Sequence, residues 1–240
     1  MSFELEKDMT NVIKDNFLEI AKSVKSCNNR SQLIYSYEFP IYYRMIDVVI
    51  ATYCKEYNSF EECKYYERSI RKLSSKCFGI LTLIGLKKKA SISLIKKELL
   101  IERNKITTCL DKLCDAGLIE KVSKYSFRVT DWNILIPKEF IAIELKLTKW
   151  QEALEQGIFN QRFAEYSFVV LDGEKVHTTE RIEECYKEKN VGLIYLKSNG
   201  NIDIRVIPKK NKDIDKYINQ FHKIKMLKDF VINDKKWKEV

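Results

Sequence analysis

Only seven glycines and three prolines occur in 240 residues. So few chain breakers leave room for short connections and exclude collagen-like, proline-rich and glycine/serine-linker architectures. No internal repeat is visible, which excludes a solenoid or a propeller. Long hydrophobic runs are also missing. The greasiest stretch, residues 77–86, is interrupted by Gly79 and Thr82 and ends on Lys87, Lys88 and Lys89. A membrane span needs about twenty apolar residues, so no membrane partner is expected. The acidic start MSFELEKDM lacks the apolar segment of a secretory leader. Seven cysteines make an odd count with no CxxC, and the two histidines, His177 and His222, stand far apart. Zinc ligands at short spacing are therefore absent, and reduced thiols in a cytoplasmic protein are expected. Neither a P-loop nor a GxGxxG occurs, which removes the usual nucleotide-binding signatures.

What is plentiful is positive charge. Lys+Arg is 43 against 34 for Asp+Glu, a net charge of +9, with 45 % hydrophobic residues to build a core. That balance points to a folded chain with a polyanionic partner.

Apolar residues Met9, Val12, Ile13, Phe17, Ile20, Ala21 and Val24 recur every three or four positions, which predicts one amphipathic helix over residues 4–25. Residues 32–39 and 45–53 are rich in Ile, Val, Tyr and Phe and predict two strands joined through residues 40–44 as a hairpin. Residues 55–75 read as a charged helix. Residues 77–130 then form a unit of their own. CFGILTLIGLKKK and SISLIKKELL predict two helices, and residues 104–116 a third, with Ile106, Leu110 and Leu113 on one face and Gly117 at its end. LIEKVSKYSFRVT alternates like a two-stranded wing, so the unit reads as a winged helix-turn-helix. Further on, EFIAIELKL predicts a strand, residues 148–159 a helix, 166–171 a strand and 178–189 a helix. Residues 191–196 and 202–207 predict a hairpin about the turn 198–201, followed by a basic helix over 211–232. The fold class expected is α/β, a mixed sheet flanked by helices. Residues 1–54 and 132–240 build the core, and residues 55–131 are an inserted helix plus winged helix.

Side chains alternate along a strand, so Glu144 and Lys146 share one face of EFIAIELKL while Ile143 and Leu145 share the other. Charges on the inward face of a hydrophobic strand are costly unless paired or bound to a metal. Asp47 poses the same problem in MIDVVIATY, and Glu38 adds an acid near the end of the strand before it.

These residues resemble the PD-(D/E)xK nuclease superfamily, with its restriction-endonuclease-like fold. Asp47 matches the first acid of the motif, with Ile46 where the pattern has proline, and Glu144-Leu145-Lys146 matches the E-x-K. IAIELKLTKWQEALEQGIFNQRFAEYSFVVLD looks like a bacterial subgroup in which a helix-borne glutamine, here Gln156, lies beside the active site. About 95 residues separate Asp47 from Glu144, longer than is usual, and the winged helix fills that gap. The resemblance implies phosphodiester cleavage with Mg²⁺ or Mn²⁺ held by Asp47 and Glu144. It further implies that Lys146 orients water and stabilises charge, and that Glu38 and Gln156 assist.

Residues 77–130 hold eleven basic against five acidic residues. Lys87, Lys88 and Lys89 end the first helix. Lys105, Thr107, Thr108 and Lys112 occupy the outward face of the third, the one that enters the major groove in such domains. Lys124 and Arg128 decorate the wing, where phosphate contacts form. Duplex DNA is therefore the expected partner, and cleavage of both strands would call for a homodimer. The alternative is a non-enzymatic winged-helix transcriptional regulator whose nuclease-like core is a degenerate scaffold. The tyrosines around Asp47, among them Tyr35, Tyr37, Tyr42 and Tyr43, either stack on nucleic acid or fill strand faces.

Overall fold

The computed structural model describes residues 2–25, 31–54, 70–130, 136–177, 179–232 and 238–239. In chain order the first elements are α1 (Glu6–Ile13), α2 (Phe17–Ser23), β1 (Ser31–Ile41) and β2 (Arg44–Cys54). Then come α3 (Ser75–Lys87), β3 (Ala90–Ser91), α4 (Ile92–Leu99), α5 (Arg103–Asp115), β4 (Ile119–Ser123) and β5 (Ser126–Val129). The rest are β6 (Glu139–Lys146), α6 (Trp150–Asn160), β7 (Tyr166–Asp172), α7 (Glu180–Glu188), β8 (Gly192–Leu196), β9 (Ile202–Val206), α8 (Lys216–Ile232) and β10 (Lys238–Glu239). The chain divides into two units. Residues 1–54, 138–215 and 237–240 form the first, and residues 55–137 and 216–236 the second. No helix among the described residues is long and apolar enough to cross a membrane.

The first unit is an α/β structure on one mixed sheet of order β10-β1-β2-β6-β7-β8-β9. β1 pairs with β2 and β2 with β6 antiparallel, β6, β7 and β8 pair parallel, and β9 returns antiparallel to β8. β7 and β8 are buried along their whole length, as parallel strands covered on both faces must be. On one face Met9, Ile13, Phe17 and Ile20 of the N-terminal helices pack on Val48, Ile143, Leu145 and Phe168. On the other, Ala153, Ile182 and Tyr186 of α6 and α7 pack on Val169, Leu171 and Leu193. At Gly157 an added Cβ would stand 2.7 Å from Val191 Cγ1, so only glycine lets α6 lie this close to the sheet.

Several local features differ from the pattern reading. The single helix expected over residues 4–25 is two, joined by a 3₁₀ turn at Lys14–Asn16. Asn16 leaves helical geometry at ψ 0° and its amide donates to the Gly200 carbonyl at 3.0 Å. The periodicity survives because Met9, Ile13, Phe17 and Ile20 still face one core. The hairpin turn is only Tyr42-Tyr43, and Pro40 lies inside β1. The basic terminal helix begins at Lys216. Residues just before it stay with the first unit, where Asn211 N–H donates to the Glu165 carbonyl at 2.8 Å and Asp215 N–H to that of Arg162 at 2.9 Å. Most of the charged helix expected over 55–75 lies outside the described residues.

The second unit combines α3, α4, α5 and α8 with a three-stranded sheet of order β3-β5-β4. α3 is buried from Cys77 through Ile84, which explains why its sequence is apolar all round. Ser74 and Ser91 cap α3 and α4 by accepting from the N–H groups of Cys77 and Leu94. α5 ends where Gly117, at φ 69°, lets its own N–H reach the Cys114 carbonyl and that of Leu118 reach Leu113. α8 groups here and not with the core in which the pattern reading put it. Lys228 Nζ donates to the Leu73 carbonyl at 2.6 Å and lies over the Phe78 ring.

Candidate active site

The β2–β6 ladder sets the site. Its last paired residues are Val48 and Ile143, and one step beyond them Asp47 and Glu144 face each other. Asp47 Oδ2 accepts from the Leu145 N–H at 2.7 Å, so a side chain takes the place of the missing ladder acceptor. Each carboxyl group acts electrostatically on the other. Glu144 is 4 % exposed, and its Oε1 accepts from Asn160 Nδ2 at 2.8 Å. Asn160 sits in the last turn of α6, four residues after Gln156. The remaining amide oxygens of both, Asn160 Oδ1 and Gln156 Oε1, are buried with no hydrogen-bond partner among the described residues.

The electrostatics follow from that burial. Loss of water, then repulsion from Asp47, pushes the Glu144 carboxyl up to about 7, against partial relief from Asn160, Lys146 and Arg44. Asp47 is also raised, by burial first, although the Leu145 N–H works the other way. Burial alone would lower Lys146, but its hydrogen bond to Glu6 and the charges of Glu6 and Asp47 outweigh that and raise it. Lys146 is therefore an ammonium at neutral pH. Its Nζ lies 3.1 Å from Glu6 Oε2 of α1.

The structure brings Asp47, Glu144 and Lys146 together at one end of β2 and β6. Glu38 falls opposite Asp47 on β1, because Tyr37 pairs with Val48 and Phe39 with Ile46. It is exposed and adopts φ 46°, a left-handed kink in an otherwise extended strand. Glu38 and Asp47 line one cavity of about 420 Å³ with Glu6, Thr10 and Asn11 of α1. Glu6 and Asn160 were not legible as site residues. Asn160 carried a usable signal in its i, i+4 spacing from Gln156, which puts both on one helix face. Glu6 carried none, since in the sequence it is a first-turn acid like many others.

A Mg²⁺ ion would suit this donor set. A buried Glu144 and a half-buried Asp47 repel each other, all the donors are hard oxygens, and Mg²⁺ characteristically uses one or two carboxylates and keeps several waters. Among the described residues no group of three or more His, Cys, Asp or Glu forms a fuller cage.

In the second unit Lys87, Lys88, Lys89, Lys112 and Lys124 are exposed. Lys105 is ion-paired with Glu102 at 2.9 Å, and Arg128 is paired with Glu120. The Thr107 and Thr108 hydroxyls donate back to the carbonyls of Arg103 and Asn104 within α5. A separate notch of about 310 Å³ is lined by Ile92, Ser93, Lys96, Arg103 and Tyr125. Neither Lys96 nor Arg103 has an ion-pair partner among the described residues, so both are more available to an anion than Lys105 or Arg128. No family model, curated protein or solved structure matches the chain.

Proposed function

We propose that this protein is a metal-dependent phosphodiesterase acting on DNA, with a restriction-endonuclease-like core and an inserted winged helix that grips duplex. The observation that carries the reading is the meeting of Asp47 with Glu144 across β2 and β6, Lys146 two residues on, and Asn160 and Gln156 on the following helix. The strand and helix order supports it too. An acid-bearing strand, an E-x-K strand antiparallel to it, a helix with Trp150 and Gln156 and a parallel apolar strand follow one another, as the resemblance requires. In the second unit, three helices with β3 between the first two and the β4–β5 hairpin last follow the order of a winged helix.

Asp47 and Glu144 would hold a Mg²⁺ ion, which when bound neutralises phosphate charge and acidifies a water. Keeping both carboxyl groups ionised without a cation is costly, so the pair is built to accept one. Asn160 fixes the Glu144 carboxylate by donating from Nδ2. Lys146, held as an ammonium, stabilises negative charge growing on the phosphate and can give a proton at Nζ; in this state it cannot take one. Glu6 acts through Lys146, as a positioning residue.

The test is Mn²⁺ or Mg²⁺ binding by calorimetry, followed by incubation with supercoiled plasmid, for wild type and for Asp47→Ala with Glu144→Ala. Binding and nicking by wild type, both lost in the variant, would uphold the reading. The unpaired Lys96 and Arg103 favour DNA binding whatever the core does. Duplex binding with no metal affinity in either protein would promote the winged-helix regulator instead.

A further inference from the structure

Four of the nine large apolar side chains exposed among the described residues lie on two elements of the first unit, Tyr42, Tyr43 and Met45 at the β1–β2 hairpin and Ile158 on α6. Tyr43 is 87 % exposed and its ring lies 6.4 Å from that of Phe159 on α6. Two guanidinium groups flank Phe159, Arg44 at 4.9 Å and Arg162 at 5.3 Å from the ring centre. Neither arginine has an ion-pair partner among the described residues, so two like charges share one ring.

Folding does not account for this arrangement. A two-residue hairpin turn favours Asn-Gly or Asp-Gly, because it requires positive φ. Here Tyr42 takes φ 54°, where an aromatic residue is strained, and both tyrosines are exposed. Tyr35 and Tyr37 behave differently. They pack against Phe17 and against each other as ordinary strand residues. The tyrosines near Asp47 thus divide into a packed pair and an exposed pair.

The exposed pair lies close to the acids. Tyr43 immediately precedes β2 and is four residues from Asp47, about 13 Å by strand rise. We infer that Tyr43, with Phe159, Arg44 and Arg162, is a stacking platform for an unpaired nucleobase, the two arginines taking the flanking phosphates. The substrate class it selects is single-stranded or forked DNA, not continuous duplex alone. This rests on reading the core as a DNA phosphodiesterase. It adds that the scissile strand is unstacked at the site. Base–aromatic stacking is tolerant of sequence, so the platform reads strandedness and not base identity.

The experiment is fluorescence anisotropy on the full chain in EDTA, where no cleavage occurs, with a labelled 20-mer as single strand, blunt duplex and fork. Wild type should bind the single strand and the fork. Tyr43→Ala should weaken both about ten-fold, the loss expected for one base stack, while Tyr43→Phe keeps them. Duplex affinity should stay within about two-fold. Tyr43 is exposed, so the Ala variant should melt with wild type, which separates lost stacking from lost fold. Single-strand affinity unchanged in Tyr43→Ala, equal losses on all three DNAs, or no single-strand binding by wild type would each overturn the platform. Plasmid nicking decides the catalytic reading separately. Stacking without nicking removes the enzyme and keeps the platform as a binding surface; nicking without stacking does the reverse.

Discussion

Replacing Glu144 by Gln should make the metal-free protein more stable, by an amount that grows as pH rises from about 4.5 to about 7 and is constant above that. Glu144 is 4 % exposed and its carboxyl is pushed from an ordinary 4.5 up to about 7, by burial and then by Asp47. The native state therefore keeps its proton to a higher pH than the unfolded chain does. Between pH 4.5 and 7 the native state binds more protons, so stability falls as pH climbs through that window. Below it the group costs nothing, and above it the full penalty applies. A shift of this size amounts to about 3 kcal/mol, shared with Asp47 because the two titrate together. Gln preserves the contacts. Its oxygen can accept from Asn160, and its amide can donate toward Asp47 as a protonated Glu would. Urea melts in EDTA at pH 5, 6, 7 and 8 should show Glu144→Gln within about 1 kcal/mol of wild type at pH 5 and about 3 kcal/mol more stable at pH 8. In thermal melts that is roughly 6–10 °C for a chain of this length. Added Mg²⁺ should close the gap by stabilising wild type alone. Equal stability at pH 8, or a gain that ignores pH, would refute the electrostatic account of the site.

Gly157→Ala should lower stability by about 1–3 kcal/mol in the same melts, since its Cβ would stand 2.7 Å from Val191 Cγ1 and 3.3 Å from Val169 Cγ2. Lys146→Met should cut plasmid nicking about 10²-fold or more, the usual loss when a group stabilising transition-state charge is removed. Glu6→Gln should cost less than about ten-fold in nicking and leave the melting temperature nearly unchanged, because the Lys146–Glu6 pair is partly solvated. Lys96→Ala and Arg103→Ala should each reduce the slope of log K against log salt for duplex binding by about 0.9, if each cation meets one phosphate. Lys105→Ala should reduce it less, being already paired with Glu102.

The α/β character and the mixed, helix-flanked sheet were legible in the sequence because binary patterning follows secondary-structure period. β6 shows why the acids stood out. Ile141, Ile143 and Leu145 do line one core face, which leaves Glu144 on the other with no water to solvate it. What the pattern could not carry is who meets whom across space. The Asp47–Glu144 encounter depends on the β2–β6 register, and the Lys146–Glu6 pair on how α1 crosses the sheet. The Arg128–Glu120 and Lys105–Glu102 pairs, which occupy two expected DNA contacts, needed the wing register and the first turn of α5. The break at Asn16 came from a tertiary hydrogen bond to Gly200 that no local window contains. The tyrosines near Asp47 could not be sorted from sequence, because a packed Tyr37 and an exposed Tyr43 obey the same strand propensity.

The long separation of Asp47 from Glu144 has a structural resolution. The first unit is left after Cys54 and re-entered at Lys138. These points are adjacent: Thr52 pairs with Glu139, and the Lys138 N–H donates to the Thr52 carbonyl at 2.8 Å. The acid pair stands at the other end of the same two strands, about 17 Å away by strand rise. Between them the ladder from Thr52–Glu139 to Val48–Ile143 is unbroken, and all of Val48, Val49, Ile50, Ala51, Ile141, Ala142 and Ile143 are buried. A register slip of one residue would turn each of these to the wrong face, so burial fixes the pairing whatever length of chain intervenes. Loop-closure entropy grows only with the logarithm of length, so a long excursion costs little more than a moderate one. The spacing that makes the motif hard to see along the sequence therefore places almost no strain on it in space. An insertion after Cys54 should be tolerated, whereas a single residue inserted between Asp47 and Val49 should disrupt both the ladder and the Asp47–Glu144 encounter.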